Sequence, residues 1–182
     1  MRYIGIDVGL AGAVAILPDL IVTDTPVAVV TKGKTTRRVY LEAAMADLLR
    51  PHAAGPCHAI LEAVHSMPKQ GSKSVFSFGE GFGIWKGILA GLGIPYTLVD
   101  PSQWKRAMIQ GVGRDKDASR IRAQQLFPGT ARILIRKQDH GRAESLLLAA
   151  YLERLVGGIR RGYQLPDDPP DVVASVAAAL SA

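Results

Sequence analysis

The chain has 182 residues, 48% of them apolar, with a formal charge of +6 and a pI near 9.7. Length and composition suit one domain with a full core and exclude a disordered or minimal protein, while the basic balance favours an acidic partner, nucleic acid foremost. The single cysteine, Cys57, excludes a disulfide framework and a cysteine-rich zinc site, and no apolar run suits a bilayer span or a signal peptide, so a cytoplasmic protein with no membrane partner is expected.

The first stretch reads MRYIGIDVGLAGAV. A short apolar run drives into Asp7, which is followed by Gly9 and Gly12. A strand ending in a carboxylate beside small residues suits a cation held against a phosphate, because glycine admits close backbone approach and the carboxylate is a hard-oxygen ligand. A buried hairpin whose Asp7 caps a turn reads equally well from this stretch alone. Strands are expected over 2–6, 12–17 and 20–25, as an antiparallel meander turned at Pro18 and Asp19. TKGKTTRR, residues 31–38, carries four positive charges and no negative one, and reads as a loop, either solvated or touching a phosphate backbone.

Helical spacing of Tyr40, Leu41, Met45, Leu48 and Leu49 predicts a helix over 39–49, ended by Pro51. A buried strand over 58–64 then delivers Glu62, and the crossover makes it parallel to an earlier strand. If it lies beside the first strand, Asp7 and Glu62 share the carboxyl ends of one sheet. The polar loop HSMPKQGSKS offers Lys69 and Lys73 to a docking substrate. Residues 75–92 read as a helix with glycines at 79, 83, 87 and 91, a smooth stripe suited to close packing against the protein's own sheet or a second subunit.

A strand over 94–99 leads into DPSQWK, a short helix carrying Trp104, Lys105 and Met108 with Asp100 or Ser102 as cap. GVGRDK is a glycine-flanked basic turn, 117–127 a helix stopped by Pro128, and 139–155 the final strong helix, ended by Gly157 and Gly158. Residues 158–182 read as a C-terminal tail with a short helix over 171–180, outside a domain of residues 1–157.

Asp7, Glu62 and Glu144 are acids set in or beside apolar segments, a costly placement unless each is paired. Two strand ends and a helix's first turn can bring them to one pair of divalent ions, and two metals about 4 Å apart activate a water and stabilise the leaving oxygen of a phosphodiester. His140 and Glu144, four apart, share a helix face, whereas Asp139 lies roughly 140° round from Glu144 and looks like an N-cap. His140 is therefore preferred as fourth site residue, with Asp139 as the alternative because a carboxylate is the better magnesium ligand.

GIDVGLAGAV, the strand ending in LEAV, VDPSQWK, GRDKDASRIRAQQLFP and DHGRAESLLLA together resemble the RuvC-like Holliday junction resolvases of phages and bacteria, across roughly residues 1–156. The resemblance implies an RNase H-like three-layer α/β fold with a mixed five-stranded sheet flanked by helices. It implies ligand roles for Asp7, Glu62, His140 and Glu144, two Mg²⁺ ions replaceable by Mn²⁺, and a homodimer that cuts opposed strands of a four-way DNA junction. The chain departs from the commonest pattern in having Glu at 144 and His at 140. The resemblance also points to Lys105 and Lys116 near the scissile phosphate, where an ammonium neutralises charge building on the phosphoryl oxygens. The base-stacking wedge that such enzymes place after the fourth strand has only His65 and Met67 to match it. Arg37, Arg38 and Arg114 are candidates for phosphate contacts.

Three rival readings remain from sequence. An actin-like ATPase shares the first loop but needs a second phosphate loop and about twice this length, so no nucleotide cofactor is expected. A DNA-binding module without chemistry gains nothing from carboxylates facing phosphates. A nuclease acting on RNA–DNA hybrid or flap DNA fits the same residues.

Overall fold

The computed structural model describes residues 1–63, 72–109, 117–160 and 168–181, with only the backbone at 72–74. Five strands form one mixed sheet: β1 (Arg2–Asp7), β2 (Ala13–Leu17), β3 (Ile21–Asp24), β6 (Cys57–Glu62) and β7 (Tyr96–Val99), in the order β3-β2-β1-β6-β7. The meander β1–β2–β3 is antiparallel, and β6 and β7 add to β1 in parallel. A crossover helix, α1 (Glu42–Ala53), precedes β6 and α2 (Ser72–Gly91) precedes β7, as parallel pairing demands. The remaining helices are α3 (Pro101–Ile109), α4 (Ala118–Leu126), α5 (His140–Arg160) and α6 (Pro170–Ser181).

Strand alternation divides the core between the two faces of the sheet. Ile4, Ile6, Val14 and Ile16 pack with Met45, Leu49, Trp85 and Leu89 from α1 and α2. Ala15 and Ile60 pack on the other face with Trp104, Leu146, Ala149 and Leu152 from α3 and α5. The result is the expected three-layer arrangement.

Several expectations fail locally. Residues 31–38 are not a loop: β4 (Val27–Lys32) and β5 (Thr35–Tyr40) form an antiparallel hairpin of their own. Its two-residue turn has Gly33 at φ 61°, flanked by β-branched runs whose strand preference outweighs their charge. Tyr40 consequently belongs to a strand, and α1 starts at Glu42. Pro51 lies inside the last turn of α1, where the N–H it lacks deletes one bond without stopping the helix before Ala53.

The helix α5 runs through Gly157 and Gly158 to Arg160, so the boundary drawn at 157 falls inside it. Residues 168–181 are not a loose tail, because Val172 and Val176, one turn apart on α6, join the same core as Leu152 and Val156. Arg154 pairs with Asp168, and Ser175 Oγ lies 3.1 Å from Thr97 Oγ1 on β7. The glycine row does not pack on the protein's own sheet either: a Cβ at Gly79, Gly83, Gly87 or Gly91 would meet nothing within 4 Å. Among the described residues, no helix is long and apolar enough to cross a membrane.

Candidate active site

Because β1 and β6 are parallel neighbours with Ile6 opposite Leu61, their last residues, Asp7 and Glu62, end level with each other. The third acid comes from α5, which lies directly on β1. A Cβ on Gly5 would collide with the backbone of Ser145 and Ala149, and one on Gly141 would fall 2.8 Å from Asp7 Oδ2. Glycine at both places lets the helix descend far enough to deliver Glu144. Asp7, Glu62 and Glu144 each offer a carboxylate oxygen within 4.8 Å of the other two.

Two neutral donors and one cation hold this group. Trp104, fully buried on α3, donates its indole N–H to Glu62 Oε1 at 3.0 Å, and Ser119 on α4 donates its hydroxyl to Glu144 Oε1 at 3.1 Å. The Lys105 ammonium stands 3.1 Å from Glu144 and 3.8 Å from Glu62, over the Trp104 ring. Burial, then Glu144 and Glu62, push the Asp7 carboxyl well above the usual range against the opposing pull of Lys105. Burial likewise raises Glu62, although Lys105 and the Trp104 bond oppose it. For Lys105 itself, burial favours the neutral amine, but Glu144, Glu62 and Asp7 outweigh it and keep the pKa above that of a free lysine. Three crowded carboxylates facing one ammonium are a site short of positive charge.

A cleft of about 500 Å³ opens beside these acids, lined in part by Asp7, Arg38, Tyr40, Phe78, His140 and Glu144. His140 stands on this rim, with Nδ1 3.3 Å from the Lys137 carbonyl oxygen, but outside the three-carboxylate group. Asp139 goes elsewhere. It is buried, accepts from the Arg136 backbone N–H at 2.7 Å and from the Arg136 guanidinium at 2.8 Å, and its pKa is held low chiefly by that side chain. Its side chain closes the short 3₁₀ turn Lys137–Asp139 through Arg136 and does not join the three acids. Arg38 reaches the cleft and donates to the Leu10 carbonyl at 3.2 Å, while Arg37, adjacent on β5, points to the other face of the hairpin. Lys69, Arg114, Lys116, His65 and Met67 lie outside the described residues, and only the backbone of Lys73 is described.

Sequence reasoning missed four contributors. Tyr40, assigned to a helix, lines the cleft from β5 and donates to the Ser77 carbonyl at 3.1 Å. Phe78, on α2 beside Ser77, lines the cleft as well, while its neighbour Phe76 is 75% exposed and outside that lining. Trp104 is buried in the core and also a hydrogen-bond donor to the site, and Ser119 bears on it from α4. Nothing in the spacing of Trp104 and Glu62, forty-two residues apart, signals their contact.

Acids at the ends of two adjacent parallel strands, met by a third from a helix laid on the sheet, sit in an RNase H-like three-layer fold. The fold is that of RuvC: the Thermus thermophilus RuvC structure superposes with a TM-score of 0.53 at 16% identity, over 86% of this chain and 97% of that one. T. thermophilus RuvC in complex with a Holliday junction substrate matches with a TM-score of 0.52 at 15% identity, over 86% of this chain and 96% of that one. In sequence, the chain is 34% identical over 117 residues to the chloroplastic Holliday junction resolvase MOC1 of Chlamydomonas reinhardtii. That match takes in 63% of this chain but spans only 13% of the algal protein's length. No protein-family profile matches the chain.

Proposed function

We propose that this chain is a metal-dependent, structure-selective endodeoxyribonuclease that resolves four-way DNA junctions by paired phosphodiester hydrolysis. The observation that carries the reading is the meeting of Asp7, Glu62 and Glu144 at one end of the sheet. The name of the algal relative and the junction-bound RuvC neighbour supply the substrate class.

The donor set fits a hard divalent cation: all three ligating groups are carboxylates, two have pKa values raised by burial and mutual repulsion, and Lys105 offsets only part of their charge. Asp7, Glu62 and Glu144 would hold it, with His140 as fourth residue; the expected ions are two Mg²⁺, replaceable by Mn²⁺. Bound there, the ions would supply Lewis-acid stabilisation of the charge that builds on the phosphodiester.

The chain's own residues do the rest. Trp104 and Ser119 fix two carboxylates before substrate arrives. Lys105 keeps its proton, so its ammonium meets the negative charge of the phosphoryl oxygens, with Lys116 as a second cation. His140, on the rim of the cleft, would position the attacking water as a ligand or, unligated, take its proton, with Glu62 as the alternative. In-line attack leaves a 5′-phosphate and a 3′-hydroxyl. Arg38 guides the backbone into the cleft, and exposed Phe76 offers a face on which an unpaired base stacks.

Cutting two opposed strands requires two sites. The exposed α2 row of Gly79, Gly83, Gly87 and Gly91, against which nothing packs among the described residues, supports a homodimer built through that helix. The protein works on intracellular DNA, in the cytoplasm, without a nucleotide cofactor. Incubating labelled four-way junction, linear duplex and RNA–DNA hybrid with Mg²⁺ or with chelator tests the reading. Symmetric, Mg²⁺-dependent nicks in the junction are expected; cleavage of the hybrid alone would replace the substrate, and no cleavage of any would overturn the enzyme.

A further inference from the structure

The β4–β5 hairpin stands apart from the five-stranded sheet and projects beside the acidic cleft. Its base is fixed: Leu41 N–H bonds the Pro26 carbonyl at 3.0 Å, Tyr40 is tied to Ser77, and Arg38 to Leu10. Beyond that base every residue from 29 to 38 is exposed, so each six-residue strand reaches about 20 Å with little burial to hold it.

Apart from the Arg38 bond to the Leu10 carbonyl, the charges on this arm make no ion pair among the described residues. Lys32, Lys34, Arg37 and Arg38 are its ionisable residues before Tyr40, all of one sign. The register sets Lys32 opposite Thr35 and Arg37 opposite Val30, making Lys32 and Arg37 diagonal neighbours on one face, about 7–8 Å apart. Like charges so placed repel, a cost that an arriving polyanion removes. Arg38, on the opposite face, is the arm's positive charge that lines the cleft of Asp7 and Glu144.

Given the nuclease reading above, on which this inference rests, we propose that the hairpin is a duplex-gripping arm. Lys32, Lys34 and Arg37 take the phosphate backbone of a DNA arm outside the cleft, and Arg38 leads the strand inward. The exposed residues on it are Val, Thr, Gly, Lys and Arg, with no aromatic ring on which a base stacks, so the grip reads backbone charge and not sequence or unpaired bases. The rival account is that the lysines guard the open edges of a two-stranded sheet against self-association.

The test measures dissociation constants for a labelled four-way junction and a single-stranded oligonucleotide, with Ca²⁺ replacing Mg²⁺, across a KCl series. Three proteins are compared: wild type, Lys32→Gln/Lys34→Gln, and Arg50→Gln, a charge on α1 whose partner is Asp47. The arm predicts that the double variant loses about 2 from the log–log salt slope for the junction, at about 0.9 per phosphate contact, and binds at least about tenfold more weakly near 0.15 M salt. Arg50→Gln should hold the wild-type slope, and on the single strand the double variant should lose less slope than on the junction, at about 0.7 per phosphate contact. An unchanged junction slope in the double variant, or an equal drop in Arg50→Gln, overturns the arm. If wild type cuts the junction while the double variant binds as tightly, only the arm fails; if wild type neither binds nor cuts it, both readings fall.

Discussion

The indole N–H of Trp104 and the carboxylate of Glu62 meet at 3.0 Å, joining the first turns of α3 to the end of β6. The ring is wholly buried, so its donor has no water to turn to, and it fixes which way Glu62 faces. Replacing Trp104 by Phe keeps most of the packing and removes the bond. Apparent Mg²⁺ affinity should fall about 10-fold or more, with the rate at saturating Mg²⁺ affected less, as for other supports of metal ligands. Mg²⁺ titrations of cleavage and of thermal midpoint check this; an unchanged midpoint titration would reduce Trp104 to packing.

Neutralising the most crowded acid should stabilise the metal-free protein. The Asp7 pKa is raised by burial and by Glu144 and Glu62, so its ionised form works against folding once pH rises through that value. In chelator near neutral pH, Asp7→Asn should unfold a few degrees higher than wild type, on a scale of about 2–4 °C per kcal/mol for a domain of this size. Added Mg²⁺ should raise the wild-type midpoint and leave that of the variant nearly still. Scanning calorimetry with and without Mg²⁺ decides it.

A second titration has the opposite sign. His58 on β6 is fully buried; its Nε2 lies 2.9 Å from Thr97 Oγ1, while Nδ1 has no partner among the described residues. Burial lowers its pKa from 6.5 to about 4. A folded value below the unfolded one means its contribution is complete above pH 6.5 and lost as pH falls towards 4. The wild-type protein should lose on the order of 3 kcal/mol more than His58→Gln across that window. Urea unfolding of both proteins at stepped pH gives the difference directly, cancelling the acids they share.

The glycine row on α2 predicts a surface effect without a core effect. Leucine at positions 83 and 87 meets no atom within 4 Å of its Cβ in the single chain, so the fold should tolerate Gly83→Leu/Gly87→Leu. If two subunits close on that row, the double variant should run as a single 19.4 kDa chain where wild type runs at twice that mass. Light scattering after size exclusion reads the outcome, and identical masses would move the interface elsewhere.

Exposed Phe76 is the residue we propose as the stacking surface, a role for which the sequence offered only His65 and Met67. Phe76→Ala should weaken junction binding by about 1–3 kcal/mol per base released, Phe76→Leu nearly as much, and Phe76→Trp little. Fluorescence of a 2-aminopurine placed at the junction centre would report the loss of unstacking.

What sequence reveals here follows the range of the physics involved. Asp7 and Glu62 were legible because a strand end is a local pattern and a crossover helix dictates parallel neighbours. Glu144 followed from helical spacing within one segment. Residues 31–40 were misread because four positive charges masked two β-branched runs around a Gly-Lys turn, a signal that was present. Asp139 was a credible ligand until Arg136, three residues away, was seen to take its carboxylate. Trp104 and Ser119 had no such local mark, since their contacts with Glu62 and Glu144 exist only after α3 and α4 dock. The C-terminal helix joined the core through Val172 and Val176, two valines too few to stand out in an alanine-rich end.

The central claim is that three distant carboxylates form one metal site over a DNA strand, and Asp7→Asn tests it most directly. A radiolabelled four-way junction is incubated with wild type or variant in Mg²⁺, with binding followed in parallel by gel shift in Ca²⁺. Wild type should nick opposed strands while Asp7→Asn binds the junction as tightly and leaves it uncut. Wild-type cleavage rates in the Asp7→Asn protein would contradict the account.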